Sequence, residues 1–568
     1  MGLYLLDYGA GNVQSLANTL TKLGHSFKWI KDPADFSNAT SLIFPGVGAF
    51  ETAITNLHSK GLFEPLKKYI QSGKPYFGIC VGLQVLFESS TEAPPSCHGL
   101  GIVPCAIERF FDNDKSVPHM GWNAADLLDT SQDSEGVNSS SYYYFVHSYG
   151  AKYSPTTQPD AMRWAHTTTQ YGKEIFVSSI RRGNVFATQF HPEKSGAAGF
   201  ALIDEWLKKP LSAHINAPDA PLINRMPLPV HKLTKRIVAC MDVRANDEGD
   251  LVVTKGDQYD VREKIDSSSS TSVKAAGAVR NLGKPIALAQ KYYASGADEL
   301  CLLNITSFRH SPLQDQPMLA IVSAAAQEIF VPLTIGGGIK DTVDPDGTPR
   351  SALEVASAYF RKGADKVSIG SEAVYAVEKL LASGGKKDGT SAIETIAHAY
   401  GKQAVVVSID PRRVYVDNPA SYDGPYKDEL IIGSSSQYAL AADKGKSWWY
   451  QCTVSGGRET RPLSVVQLAK GVETLGAGEI LVNSIDRDGT GFGFDLDLVK
   501  LIKKAVKIPV VASSGAGSTQ HFVDVFRGTD VEAALAAGIF HREEVGIDDV
   551  KMKMKEAGVN ARVVDPVI

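Results

Sequence analysis

The sequence predicts an α/β protein in two parts. A doubly wound α/β domain covers residues 1–209, and a (β/α)8 barrel built from two similar halves covers residues 234–568. Three observations predict this. Short β-rich runs alternate with amphipathic helical runs along nearly the whole chain, a proline-rich stretch breaks that alternation once, and the part after the break repeats itself.

In the first part, GLYLLDYG precedes NVQSLANTLTKLG, TSLIFPGVG precedes ETAITNLHSKG, and KPYFGIC precedes VGLQVLFESS. Each apolar run is of strand length and each partner carries helical periodicity, the pattern of a parallel sheet with crossover helices. The later runs SYYYFVHSY, EIFVSSIRR and NVFATQF read as antiparallel strands. Residues 210–233, with Pro210, Pro218, Pro221, Pro227 and Pro229, show neither periodicity and read as a semi-rigid linker.

Eight strand candidates follow: RIVACMDV, DELCLLNI, VPLTIGGGI, DKVSIG, AVVVSID, EILVNSID, IPVVASSG and VEAALAAG. The second four echo the first: Asp242 and Asp410, Glu299 and Glu479, and Gly338 and Gly515 stand at similar separations. A duplicated half-barrel suits a ligand with two similar ends. Residues 244–273, 341–350 and 414–450 read as long loops. The first and last follow strands one and five, on the face where barrel sites lie. The serine run DSSSSTS reads equally as a lid or as simple padding.

Composition narrows the function classes. Of 568 residues 43% are hydrophobic and 21% charged, with net charge −5 and no long run of one sign, which gives no support for a nucleic-acid or acidic-lipid partner. Six scattered cysteines without a CxxC pair predict a reduced, cytoplasmic chain with no disulfide framework or structural zinc. The start carries Asp7 and no basic leader, so it reads as a first strand. No apolar run reaches the ~20 residues of a membrane span. Small-molecule substrates are the expected partners.

PYFGICVGLQ places Cys80 between Gly78 and Gly82 where a strand turns into a helix, the logic of a nucleophile elbow. QFHPEKSG presents His191 at a strand end with Glu193 two residues on, a base and the carboxylate that orients it. In FPGVGAF, the amides around Val47 and Gly48 can join that of Val81 in holding an oxyanion. A lone buried cysteine is more often a small hydrophobe, and glycine turns are common; the three segments together outweigh those readings. They resemble the class I glutamine amidotransferases. The resemblance implies Cys80 as nucleophile, His191 as base and acid, Glu193 as orienting group, and Gln84 in the glutamine pocket. It also likens Pro118–Asn123 and Tyr142–Tyr149 to interface and substrate-positioning segments. No metal or cofactor is called for.

In the second part, Asp242 and Asp410 end strands one and five, which face each other across an eight-stranded barrel. Two carboxylates across a mouth can act as acid and base on one substrate. A turn or N-cap role is the plain alternative for either alone. Glycine turns at Gly337 and Gly338, and at Ser514 and Gly515, expose amides to anions; IGSEA, with Gly370 and Ser371, and AAGIF open helices that complete them. Two repeat-related sites imply a phosphate at each end of the substrate.

This part resembles the cyclase barrels of histidine biosynthesis, and the whole chain resembles the fused glutaminase–cyclase family of imidazole glycerol phosphate synthases. RIVACMDVR, GADKVSIG and SIDRDGTGFGFD carry the likeness. It implies Asp242 and Asp410 as the cyclase pair, and Lys255, Asp488 and Gly489 as substrate-binding positions. It implies a charged ring of Arg236, Glu299, Lys366 and Glu479 where the glutaminase docks and ammonia enters, with Lys366 the side chain best able to move. Asp365 would pair with Lys194 to hold the domains in register. With both domains in one chain, no separate glutaminase subunit is needed. Ser514 departs from a frequent glycine. The competing readings are an amidotransferase feeding another barrel synthase, which would place an imine-forming lysine at a strand end, and a non-catalytic sensor. The intact Cys80, His191 and Glu193 stand against the second.

Overall fold

Leu3–Leu6, Ser41–Phe44 and Tyr76–Ile79 are apolar over nearly their whole length, as strands covered on both faces must be. The structure, a computed structural model, describes residues 2–9, 11–130, 134–215, 222–227, 230–245, 251–254, 285–305, 317–344 and 346–563. In the N-terminal domain five strands run parallel, in the order Lys28–Ile30, Leu3–Leu6, Ser41–Phe44, Tyr76–Ile79 and Val185–Thr188. Helices Gln14–Lys22, Phe50–Ser59 and Phe63–Gln71 make crossovers between the first four. Glu174–Arg182, Ala165–Tyr171 and Asp126–Leu127 extend the sheet antiparallel. Tight turns at Gly172 and Gly183, both at positive φ, are too short for a crossover and force that reversal. Tyr143–His147 lies outside this sheet and pairs antiparallel with His119–Asn123.

The barrel strands are Arg236–Ala245, Glu299–Asn304, Leu333–Gly336, Lys366–Ile369, Val405–Ile409, Glu479–Asn483, Val510–Ser513 and Ala533–Ala536. Neighbours pair in parallel, and the eighth strand pairs with the first to close the barrel. Val238, Cys240, Cys301, Val406, Leu481, Val511, Ala533 and Leu535 pack together as the inner layer. Outside, Ser351, Ser391 and Ser464 begin their helices with capping boxes to Glu354, Glu394 and Gln467.

Two expected loops contain strand structure. Residues 341–350 fold as a small hairpin, Thr342–Val343 against Pro349–Arg350. Within 414–450, the aromatic run Ser447–Val454 is the centre of an antiparallel sheet with Pro411–Val416, Ile431–Ile432 and Glu459–Ser464. Every residue of that run except Gln451 is buried, Trp448, Tyr450 and Cys452 most completely, so it is a covered strand whose polar flanks hide it in the sequence. Most of 244–273, Lys255 included, lies outside the described residues; Leu251–Thr254 pairs antiparallel with barrel strand one. A short helix, Leu211–Ile215, falls in the stretch read as linker. All six cysteines are free. No described helix is long and apolar enough to cross a membrane.

The N-terminal domain sits on the N-terminal end of the barrel. Trp122 Nε1 donates to the Asp298 carbonyl at 3.0 Å, Asn18 Nδ2 to the Ala326 carbonyl at 2.8 Å, and the Val117 amide to the Lys507 carbonyl at 2.9 Å. These partners precede barrel strands two, three and seven. Lys194 Nζ meets Asp365 Oδ2 at 2.7 Å, just before strand four.

Candidate active sites

Cys80 joins the end of strand Tyr76–Ile79 to helix Val81–Gln84 with φ 50° and ψ −102°, a strained conformation that lifts its side chain out of the turn. The flanking glycines are required by contact: a Cβ on Gly78 would lie 2.4 Å from the Gly82 carbonyl oxygen, and one on Gly82 would lie 2.3 Å from that of Phe44. The Gly46 backbone passes so close that a Cβ there would lie 2.7 Å from the Val81 amide nitrogen, which lays the Val47–Gly48 segment beside the helix start. Tyr8 donates its hydroxyl to the Val47 carbonyl at 2.6 Å.

His191 Nδ1 donates to Glu193 Oε1 at 2.8 Å, and both side chains are buried. That bond leaves Nε2 to face Cys80. Burial alone would lower the His191 pKa, but Glu193 and Cys80 outweigh it and hold the imidazole well above the ordinary histidine range. The His191 backbone is clamped, its amide donating to the Tyr144 carbonyl at 2.9 Å and its carbonyl accepting the Ser195 hydroxyl at 2.6 Å. Gln84 is also buried, and its amide nitrogen donates to the Tyr149 carbonyl at 3.2 Å. The structure therefore gathers Cys80, His191, Glu193, Val81 and Gln84 in one place, with Val47 and Gly48 alongside.

At the other end of the barrel, Asp242 and Asp410 are half-buried on opposed strands. Asp410 directly follows strand five, whereas strand one runs on past Asp242 to Ala245, where it pairs with Leu251–Thr254. Asn483 Nδ2 donates to Asp410 Oδ1 at 3.0 Å. Burial raises the Asp410 pKa, with Asp488 adding to the shift and the Asn483 hydrogen bond opposing it. The turns at Gly337 and Gly338, and at Ser514 and Gly515, follow strands three and seven, all at positive φ. Ser514, at φ 72°, explains why glycine suits this position; its hydroxyl donates to Asn483 Oδ1. The Asp488–Gly489 loop folds over this turn, with the Gly493 amide donating to the Gly515 carbonyl at 2.7 Å. Gly370 and Ser371 open the helix after strand four, and Ser371 Oγ accepts the Ser455 amide at 2.9 Å.

Arg236, Glu299, Lys366 and Glu479 are the first residues of strands one, two, four and six, and they form a closed ring. Arg236 Nη1 meets Glu299 Oε2 at 2.6 Å, and its Nη2 pairs with Glu479. Lys366 Nζ lies 2.7 Å from Glu299 and 2.6 Å from Glu479. No member is more than 3% exposed, so desolvation is severe and only the alternation of charge makes the ring tolerable. Burial would raise the Glu299 pKa, but Lys366 and Arg236 reverse this and hold it below the ordinary carboxylate range.

Residues 4–207 match the model of the glutamine amidotransferase class-I family, and residues 236–546 match that of the histidine biosynthesis protein family. The chain is 51% identical to imidazole glycerol phosphate synthase hisHF of Emericella nidulans, over 99% of both chains. It is 50% identical to the protein of that name from Schizosaccharomyces pombe, over 96% of this chain and 97% of the relative. The chloroplastic protein of Arabidopsis thaliana is 51% identical over 98% of this chain and 89% of its own. The chain belongs to the imidazole glycerol phosphate synthase family. It is thus an enzyme of the bifunctional kind, with amidotransferase and cyclase domains in one chain.

Several residues at these sites escape sequence reasoning. Gln189, fully buried, donates from Nε2 to Cys80 Sγ at 3.5 Å. Its one signal is its position two residues before His191, just past strand Val185–Thr188. Asn483 links Asp410 to Ser514, and nothing in EILVNSID marks it. Around the ring, Asp298 is held by Lys551 at 2.6 Å and Arg562 at 2.8 Å, and Arg562 stacks 3.8 Å from the Trp122 ring centroid. These partners are separated by hundreds of residues, which no local pattern reveals.

Proposed function

We propose that the N-terminal domain hydrolyses glutamine and that the barrel joins the released ammonia to a bis-phosphorylated ribulosyl formimino carboxamide ribonucleotide. The products are imidazole glycerol phosphate and the aminoimidazole carboxamide ribonucleotide. The observation that carries this reading is the position of the charged ring. Lys366 Nζ lies 3.5 Å from the Met120 sulfur of the other domain, so the ring is the floor between a Cys-His-Glu triad and the barrel axis.

In the glutaminase, the Cys80 thiolate adds to the side-chain carbonyl carbon of glutamine, and the oxyanion is held by amides of Val81 and the Val47–Gly48 segment. The C–N bond breaks as His191 gives its proton to the leaving nitrogen, freeing ammonia and leaving a thioester. Water then loses a proton to His191 and attacks the thioester. Glutamate leaves, and the thiolate–imidazolium pair is restored. The inner layer of the barrel is apolar, which favours passage of neutral ammonia over ammonium. At the far end Asp242 and Asp410 act as acid and base, and the turns at Gly337, Gly338, Gly370, Ser371, Asp488, Gly489, Ser514 and Gly515 hold the two phosphates. The cytoplasm is the compartment we assign, on the cysteine usage.

The experiment supplies glutamine with and without the ribulosyl substrate and follows glutamate and the imidazole product. Cys80→Ala is expected to lose glutamine-dependent synthesis and keep synthesis from ammonium salts. Loss of both in a folded protein contradicts the division of labour.

A further inference from the structure

Two lines of hydrogen bonds meet at the Tyr149 carbonyl, and one of them ends at the nucleophile. His147 Nδ1 lies 2.7 Å from the Tyr149 carbonyl, which only accepts, so Nδ1 carries the proton. Burial lowers the His147 pKa to about 3, so the ring is neutral and its Nε2 is an acceptor. It receives His119 Nδ1 at 3.2 Å, and His119 Nε2 receives the Asn123 amide nitrogen at 3.3 Å. The same Tyr149 carbonyl accepts from Gln84 Nε2 at 3.2 Å, and Gln84 Nε2 also donates to Gln189 Oε1 at 3.1 Å. Both hydrogens of the Gln84 amide are thereby used. The orientation of Gln189 follows: its oxygen faces Gln84, and its nitrogen faces Cys80 Sγ.

We infer that Gln189 is a further catalytic residue of the glutaminase, a fixed N–H donor to the Cys80 sulfur that favours the thiolate. The inference rests on the glutaminase reading above. A neutral thiol is a weak acceptor and a thiolate a strong one, so a donor held against sulfur favours the ionised form. Gln189 cannot turn its amide without setting its own nitrogen against that of Gln84, and it is wholly buried, so no water replaces it. His191 supplies a positive partner to the same sulfur, and Gln189 supplies a neutral donor that stays in place when the His191 proton has gone to ammonia. The donor is then ready for the thiolate that leaves when the thioester is hydrolysed.

The test alkylates Cys80 with iodoacetamide across a range of pH, following the Cys80 peptide by mass spectrometry so that the other cysteines do not interfere. Gln189→Met keeps the volume and removes the donor. The pH of half-maximal alkylation should rise by roughly one unit, and glutamate release at neutral pH should fall about tenfold, as losing a hydrogen bond to a charged group implies. An unchanged alkylation midpoint in a variant with wild-type thermal unfolding overturns the inference. Should Gln189→Met not fold, Gln189→Leu, which also lacks a donor and adds no charge, decides: a raised midpoint supports the donor role, and an unchanged or lowered one overturns it. Alkylation needs no glutamine turnover. A wild-type protein that releases no glutamate yet shows the shift in the variants refutes the glutaminase reading and not the donor.

Discussion

Lys194 and Asp365 form an ion pair at 2.7 Å across the domain boundary, with the lysine side chain 2% exposed and the aspartate 11%. Lys194 belongs to the turn that carries Glu193, and Asp365 is next to Lys366 of the ring. The pair thus connects the neighbour of a triad member with the neighbour of a ring member. Asp365 also accepts from Asn12 Nδ2 at 2.9 Å and from the Leu333 amide at 2.8 Å.

We propose that a ribulosyl ligand bound in the barrel stimulates glutamate release through this contact. Lys194→Ala and Asp365→Ala are then each expected to reduce that stimulation, by a coupling of ~1–3 kcal/mol. The double variant should be little worse than either single one, since both remove the same contact. Glutamate release with and without ligand is the measurement. Full stimulation and stoichiometric ammonia transfer in both single variants would exclude this contact from the coupling.

Asp242→Asn and Asp410→Asn should each abolish cyclisation with glutamine or ammonium as nitrogen source, while glutamate release persists. Each amide matches the carboxyl in shape and fails as acid or base. The repeat relation offers no rescue, because the two carboxyls approach the substrate from opposed strands. Near-normal turnover with ammonium in either variant would falsify the acid–base assignment.

Replacing Lys366 by Met leaves Glu299 and Glu479 with Arg236 as their one cation in the ring. Breaking a buried ionic network by removing one member costs about 3–5 kcal/mol, so the denaturant midpoint should fall clearly. If Lys366 is the moving gate, the variant also releases ammonia to solvent, read as glutamate formed in excess of imidazole product. A midpoint and a stoichiometry both equal to wild type dispose of the gate.

Glu92 lines a cavity of about 210 Å³ between the domains, with Tyr149 and Ser148 on one side and His398 and Lys402 on the other. Burial raises its pKa to about 7, Glu51 adds to the shift, and the Phe50 amide partly opposes it. A folded-state pKa above the unfolded value means that between pH ~4.5 and 7 the native protein binds more protons, so stability falls as pH rises through that window. Glu92→Gln should therefore be more stable than wild type at pH 7.5 by about 1–2 kcal/mol, after a discount for its partly open side chain. The advantage should shrink toward pH 4.5 in urea titrations. A difference independent of pH assigns the shift elsewhere.

How far local pattern reaches is clear from particular residues. Cys80 between two glycines, His191 two residues before Glu193, and the eight apolar runs ending in polar or glycine residues are contiguous, and each is a property of a short backbone segment. Such segments are decided by sterics and periodicity, so the doubly wound domain, the barrel and the grouping of Cys80, His191 and Glu193 were legible in advance. Within 414–450, read as a loop, most of the chain does lie outside strands, but Ser447–Val454 is a strand because Pro411–Val416 and Glu459–Ser464 pair with it. The sequence by itself determined which elements form and which side chains have reactive chemistry. Tertiary structure decided the rest: the closure of the ring by Arg236 and Glu479, the seating of Trp122 on Asp298, and the choice of Gln189 as the neighbour of Cys80. The reason is physical. A buried polar group is set by its hydrogen-bonding partners, and here they come from distant parts of the chain that only packing brings together.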